Sequence, residues 1–489
     1  MPDYKHGTYG DIVSSIGGNA AKGSTIPVYV GVAPCHLVHN GYKYCNTPIL
    51  LYSMDDVYRY FGYCDNWMVY DLCGAFYAHF KNPMGNVGPI VAVNVASAVT
   101  RGEIVTGEYP VNNGMVTIYA HDIFINDLTV ADMVKGTDYT VNYDFDRGCA
   151  VIMFTGDVES NTVTISYPPV THPISNSDVI GSVDVETGTY TGLGCVSQIY
   201  PKFGLIPNII VCPMWGADPD VYKAMVKAAT KINGHWDAIV YADIPAFAPD
   251  GTANNDTIAK AIAWKKSNGY TDERSKVFWP QATTLDGKPI TLSLLAAWAT
   301  LATDAANDGV PMESVSNKAI LVSGQYFGPN ATNGGFDVQS ANKLNAAGIT
   351  TAVFWGGKWV LWGPHTAAYE YGKENDNRVI FDTSMRMLFH VSNSFQKDWA
   401  VSIDKPMTRA LADTIKAREQ EKMDAWARMG AFIGEPVVEF RESANGSGDI
   451  LEGNFTWHSK GTPTPPFKSG TLKVAYTSEG FDSFFGEVQ

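Results

Sequence analysis

At 489 residues the chain is too long for one ordinary hydrophobic core, and about two to four domains are expected. Charged residues make up only 17%, while 12 Trp, 25 Tyr and 22 Phe supply large apolar surfaces, which suits either a subunit that buries its surface in partners or a sparsely charged monomer. A net charge of −15 argues against broad nucleic-acid binding, which needs a basic footprint, and no apolar run reaches the ~20 residues of a membrane-spanning helix.

Residues 1–24 read as an arm. Tyr4, Tyr9, Ile12, Val13 and Ile16 are scattered among glycines, with enough apolar character to dock but too little to fold alone. The opening MPDYKHGTYGDIV has no apolar signal core, so folding in a cytoplasm is expected. Residues 26–33 (IPVYVGVA) predict a short strand. Residues 70–80 predict a helix with Leu72, Ala75, Phe76 and Phe80 on one face, and 89–95 another strand. From about 98 to 190 the helical spacing disappears. Short strands at 115–118, 123–125, 139–143, 150–154 and 162–167 are broken by Gly, Asn and Asp turns, and Asp146–Arg147–Gly148 makes a hairpin turn. This reads as a β-sandwich of roughly 90 residues, inserted between two halves of an α/β domain.

The α/β pattern resumes near Ile199. A strand at 209–212 precedes a helix capped by Asp218, with Pro219 first and Gly234 at its end. Val221, Ala224, Met225, Ala228 and Ile232 form its apolar face. A strand at 238–242 completes a βαβ unit, which requires a parallel sheet. Helix 258–266, strand 276–279 and helix 292–306 continue the alternation. A helix end near Ala347 meets Gly348, followed by strands at 349–355 and 359–362 around Gly356–Gly357. Residues 384–399 read as an amphipathic helix. The longest helix, 407–429, runs from Pro406 to Gly430, with Leu411, Ile415, Met423 and Trp426 inward and Lys416, Arg418, Lys422 and Arg428 elsewhere. Strands at 437–441 and 455–457 suggest a small α+β unit. Leu472, Val474 and Tyr476 then alternate on one face of a strand, ahead of a short acidic end.

Enzyme chemistry is hard to find. There is no GxxxxGK[ST] loop, no strand-linked GxGxxG, no HExxH and no GxSxG elbow. Asp144–Phe145–Asp146–Arg147–Gly148 begins like a calcium loop but lacks its third carboxylate and terminal Glu. Cys35, His36, His39 and Cys45, with Cys64, Cys73 and His79 beyond, match no zinc spacing. The seven cysteines contain no CxxC pair and read as reduced and mostly buried. Asp237 and Asp243 form an acid/base pair in principle, and Asp243 ends a parallel strand, where α/β sheets place active sites. Asp before Ile-Pro is equally a turn residue, and the structural reading is preferred. His365, in a Gly-Pro loop, reads as a backbone cap. No catalytic residue, cofactor or metal is expected.

Several segments, in order, resemble contractile tail sheath proteins of bacteriophages and related injection systems. Leu344–Asn345, Gly348–Ile349 and the run Val360, Leu361, Trp362, Gly363, Pro364, His365, Thr366 resemble that family's "LN..GI" turn and "G..WG.RT" segment, with His365 where Arg is usual. Val30, Gly31, Val32, Ala33 and Pro34 are similar to its "VGxAP" strand; Asn94 replaces the Arg of its "VVRV" strand. Asp243–Ile244–Pro245, Phe278–Trp279–Pro280, Gly309–Val310 and Ser316–Asn317 resemble further family segments, as does Gly430–Ala431–Phe432–Ile433–Gly434 its "GAL.G".

The resemblance implies a sheath core of parallel/mixed α/β type at 25–97 and 196–368, an inserted β-sandwich at 98–195, a C-terminal α+β domain at 369–465, and extended arms at 1–24 and 466–489. It implies a non-enzymatic subunit of a helical stack of rings, hexameric by family resemblance, built around a tail tube with baseplate and terminator proteins. Such a sheath belongs to a virion tail and contracts to drive the tube through a host envelope during genome ejection. Tyr9, Ile12, Val13, Leu472, Val474 and Tyr476 are the implied inter-subunit arm contacts; Lys416, Lys422 and Arg428 are candidate tube contacts. The competing reading is a carbohydrate-active surface enzyme, with the sandwich as binding module and a paired-carboxylate cleft.

Overall fold

Runs of β-branched and aromatic residues, separated by helical segments, build the central layer. The computed structural model describes residues 25–485 apart from 172, 249 and 253. Eight strands form one mixed sheet: β1 (Pro27–Gly31), β2 (Ile49–Leu51), β3 (Ile90–Asn94), β4 (Ile209–Val211), β5 (Ile239–Asp243), β6 (Ser275–Phe278), β7 (Ile349–Trp355) and β8 (Lys358–Trp362). Their spatial order is β2-β3-β1-β4-β5-β6-β7-β8. The six inner strands run parallel, while β2 and β8 close the edges antiparallel. Every residue of β1, β3, β4, β5 and β6 is buried. Strands covered on both faces read as continuous apolar runs, which is why PVYVG and IVYAD show no alternation.

Helices cross over between the parallel strands. In α1 (Pro219–Ala228) the Asp218 carboxylate accepts from the Asp220 and Val221 amides, as the sequence predicts. The helix stops at Ala228, short of Gly234, because Lys231 and Asn233 both take positive φ in an intervening turn. The next crossover helix is α2 (Ile258–Ser267); then α3 (Leu292–Ala306) is buried all round from Leu292 to Leu301. Helix α4 (Val338–Ala346) turns into β7 at Gly348, where φ is +67° and a Cβ would stand 2.7 Å from the carbonyl oxygens of Thr366 and Tyr369. Only glycine fits there. The outer edge of β8 is covered by the chain at 317–320, through Leu361 to the Lys318 carbonyl (3.0 Å) and Ile320 to the Trp359 carbonyl (3.0 Å).

Between β3 and β4 the chain makes two three-stranded antiparallel sheets. One holds Val105–Pro110, Thr162–Tyr167 and Thr129–Val130; the other Met115–Ile118, Cys149–Phe154 and Tyr139–Asp144. Val116, Ile118, Tyr139, Val141, Ile152 and Ile165 of both sheets meet in one apolar cluster. The expected hairpin turn is present, with the Asp144 carboxylate accepting from the Asp146 and Arg147 amides. Residues 123–125 are not the strand expected: Ile123 makes one isolated bridge to Pro169, and its burial, not a ladder, explains its apolar character.

Helices α5 (Asp382–Trp399) and α6 (Arg409–Arg428) follow, then a hairpin of β9 (Phe432–Glu439) and β10 (His458–Pro463). Met387, Met423, Trp426, Phe432 and Val438 make a separate apolar cluster there. Against the central sheet, α5 uses polar groups. Asp382 pairs with fully buried Lys276 (3.1 Å), Arg386 with Asp304, and the Asn393 amide bonds the backbone N–H and carbonyl of Asp237 (3.1 and 2.8 Å). Positions 382, 386 and 393 lie within about 40° of one another around the helix, so this is one polar face. Residues 455–457 are not a strand; the ladder begins at His458.

Candidate assembly surface

The β9–β10 hairpin alternates as a half-buried pair should. Phe432 and Val438 face α6, whereas Ile433 and Val437 stay 55% and 42% exposed. Gly461 makes the packing possible: a Cβ there would meet the Phe432 ring at 2.8 Å. One outer edge is capped by a side chain. Gln420 of α6 accepts from the Val438 amide (2.8 Å) and donates to the Pro436 carbonyl (2.8 Å), occupying β9 as a neighbouring strand would. Among the described residues the outer edge of β10 has no such cover and no ladder partner. An open edge is a template for a strand from another chain.

Past β10, the Thr464 amide still bonds the Ala431 carbonyl (3.0 Å), then the pairing ends. Leu472, Val474 and Tyr476, expected in a strand, have no ladder among the described residues and are 86%, 83% and 83% exposed. Period-two apolar residues that nothing among the described residues covers are the unusual feature of this surface. Tyr9, Ile12 and Val13 lie outside the described residues.

The three cations singled out on α6 do not form a stripe. Six-residue spacing turns each about 120° from the next, so Lys416, Lys422 and Arg428 point three ways. Lys416 and Arg428 are exposed. Lys422 is held within the chain, its ammonium 2.9 Å from Asp398 and 2.8 Å from buried Glu419, which also accepts from the Trp399 indole (2.7 Å). Lys422 therefore joins the end of α5 to α6.

The residues weighed for chemistry are placed in structural roles. Asp237 and Asp243 stand at opposite ends of β5, on the order of 20 Å apart, so they form no acid/base pair. Burial opposes charge on Asp237, yet Lys231 and Arg274 hold it below the usual carboxylate range. Asp243 accepts from the Ser293 amide (3.1 Å) and hydroxyl at the start of α3, and burial pushes its carboxyl up to about 7. His365 shares a hydrogen bond with the Ile380 carbonyl (2.7 Å) and stacks on Tyr369 and Phe381; burial lowers it to about 4. His36 and His39 reach across to the segment between β3 and β4, at the His121 carbonyl (2.6 Å), Asn126 (2.7 Å) and the Val141 carbonyl (2.9 Å). Gln420, Gly461 and the exposed pair Ile433 and Val437 are not legible from the sequence, where nothing marks which residues meet across the hairpin.

No protein-family model matches the sequence, and no curated protein matches it. Solved structures do. A chain of the PVC sheath complex of an extracellular contractile injection system, in the contracted state, aligns over 98% of this chain and 99% of its own, with a TM-score of 0.55 and 12% identity. A chain of the contracted helical sheath of the anti-feeding prophage aligns over 98% and 100%, at 0.53 and 12%. A chain of the six-fold symmetrised anti-feeding prophage baseplate aligns over 98% and 100%, at 0.55 and 12%. The chain thus has the fold of contractile-system sheath structures over nearly its whole length, as the resemblance in the sequence implies.

Proposed function

We propose that this chain is a structural, non-enzymatic subunit of a contractile tail sheath. It polymerises around a tail tube as stacked hexameric rings anchored on a baseplate and closed by a terminator. Contraction drives the tube through a host cell envelope, for genome ejection where the particle is a virion tail. The energy is held in subunit interfaces, and no nucleotide is needed.

The observation that carries the reading is the exposed period-two row Leu472, Val474 and Tyr476, on a chain with the sheath fold and an open strand edge at β10. Added to the edge of a neighbouring subunit, residues 466–489 gain backbone hydrogen bonds and cover for that row. Residues 1–24, with Tyr9, Ile12 and Val13, are proposed to do the same. Strand addition links the bodies while they tilt and repack. In this reading 25–97 and 196–368 form the sheath core, 98–195 an outward sandwich dispensable for contraction, and 369–465 the domain nearest the tube. Lys416 and Arg428 remain the exposed tube-contact candidates on α6, with Lys422 positioning that helix.

Negative-stain electron microscopy of the concentrated protein tests this. Hollow striated tubes or sleeves are expected, alone or with tube protein and baseplate added. Particles that stay monomeric with both present overturn the reading.

A further inference from the structure

Two of the seven cysteines stand in contact at the seat of the segment inserted between β3 and β4. Cys35 follows β1, and Cys45 bridges the end of β3 at Asn94; their sulfurs are 3.7 Å apart. Their backbones are fixed by the sheet rather than by each other. The Asn94 amide accepts from the Ala33 N–H (3.0 Å) and donates to the Ala33 carbonyl (3.2 Å), tying the strand ends together. Between the cysteines the chain carries Leu37, which enters the apolar cluster of the inserted segment, and His36 and His39, which bond it at His121, Asn126 and Val141. Whatever fixes residues 35–45 fixes the seat of that segment.

We propose that Cys35 and Cys45 are a redox modification site, a thiol pair that closes to a disulfide and clamps this seat. Bond formation needs the sulfurs to approach from 3.7 Å to about 2.05 Å. A surface cavity of about 500 Å³, lined by His39, Asn40, Tyr42, Lys43, Tyr44 and Asn126, lies beside the loop between the two cysteines. Cys45 is partly exposed, whereas Cys35 is buried, its thiol pushed up by its hydrogen bond to Cys45 and by burial. Cys45 is therefore the entry point. Its thiolate attacks a low-molecular-weight disulfide such as glutathione disulfide and expels one thiolate. The Cys35 thiolate then attacks the Cys45 sulfur of the mixed disulfide and expels the second. One S–S bond breaks in the oxidant and one forms in the protein; two cysteine thiols are oxidised, and the two released thiolates take up the two protons. Cys64 and Cys73 also share a hydrogen bond, but both are buried, whereas Cys45 is partly exposed.

The test is to incubate the folded full-length protein with glutathione disulfide, then denature it, alkylate the free thiols and map the peptides by mass spectrometry. The expected result is two fewer alkylated thiols, a cross-linked peptide joining Cys35 to Cys45, and reversal by dithiothreitol. Cys35→Ser is expected to trap a glutathione adduct on Cys45, and Cys45→Ser to give neither product. Hydrogen exchange across 35–45 is expected to slow severalfold on oxidation of the parent. An unchanged thiol count in the parent, or a cross-link confined to Cys64 and Cys73, overturns the proposal. The parent measurement decides even if either serine variant fails to fold.

Discussion

Along β1 every side chain is covered by helices and neighbouring strands of the same chain, whereas along β9 burial alternates and Ile433 and Val437 are left in water. The same contrast holds at the ends of the sheets. The outer edge of β8 is paired by residues 317–320, whereas one edge of the hairpin is capped by Gln420 and β10 has no outer ladder partner among the described residues. Further on, Leu472, Val474 and Tyr476 are exposed and have no ladder partner among the described residues. Strands β1, β3, β4, β5 and β6 are buried throughout by their own chain, whereas the carboxy-terminal hairpin is buried on one face. It is this unfinished surface that the proposed strand addition would complete.

The sharpest way to break the comparison is to delete residues 471–489. If the tail serves only other chains, polymers are expected to vanish in sedimentation and electron microscopy while circular dichroism and the thermal midpoint stay as in the parent. A fall in the midpoint would show that the tail stabilises its own core. The next largest effect is expected inside the core. Arg386→Ala leaves Asp304 buried without its cation, at a cost of about 3–5 kcal/mol in denaturant unfolding.

On the hairpin the effects are smaller. Gly461→Ala drives a methyl into the Phe432 ring and is expected to cost about 1–3 kcal/mol. Gln420→Ala removes the cap from β9, costs about 1 kcal/mol, and raises hydrogen exchange at the Val438 amide without touching the central sheet. A pH dependence is also expected. Burial raises Asp243 to about 7, so the folded chain keeps that proton longer than the unfolded chain. The contribution of that proton to stability is fully present below about pH 4 and is lost as pH rises through about 7. Asp243→Asn is expected to remove that loss, so the gap between variant and parent widens from pH 4 to 7 in thermal unfolding.

The extent of α3 is legible residue for residue, because an uninterrupted apolar and alanine-rich run at helical length has one solution. The strands of the parallel sheet are legible for the same reason, and so is the Asp218 cap. The sequence reads less well where structure depends on which segments meet. Residues 455–457 look like a strand but precede one, because pairing with β9 starts at His458. Lys422 looks like a surface cation, yet Asp398 and Glu419 enclose it once α5 and α6 pack. Asp237 and Asp243 look like a pair and are separated by the length of β5.

The sequence by itself determined the alternation of helix and strand, the change of pattern from 98 to 190, the apolar row at 472–476 and the likeness to sheath proteins. These are local: each rests on spacing along one stretch of chain, where period and composition suffice. The tertiary structure alone decided the strand order, the polar face by which α5 meets the sheet, the Gln420 cap and the contact of Cys35 with Cys45. Each of these joins residues distant in the chain or fixes a side-chain direction, and only packing of the whole sets which groups come within hydrogen-bonding reach.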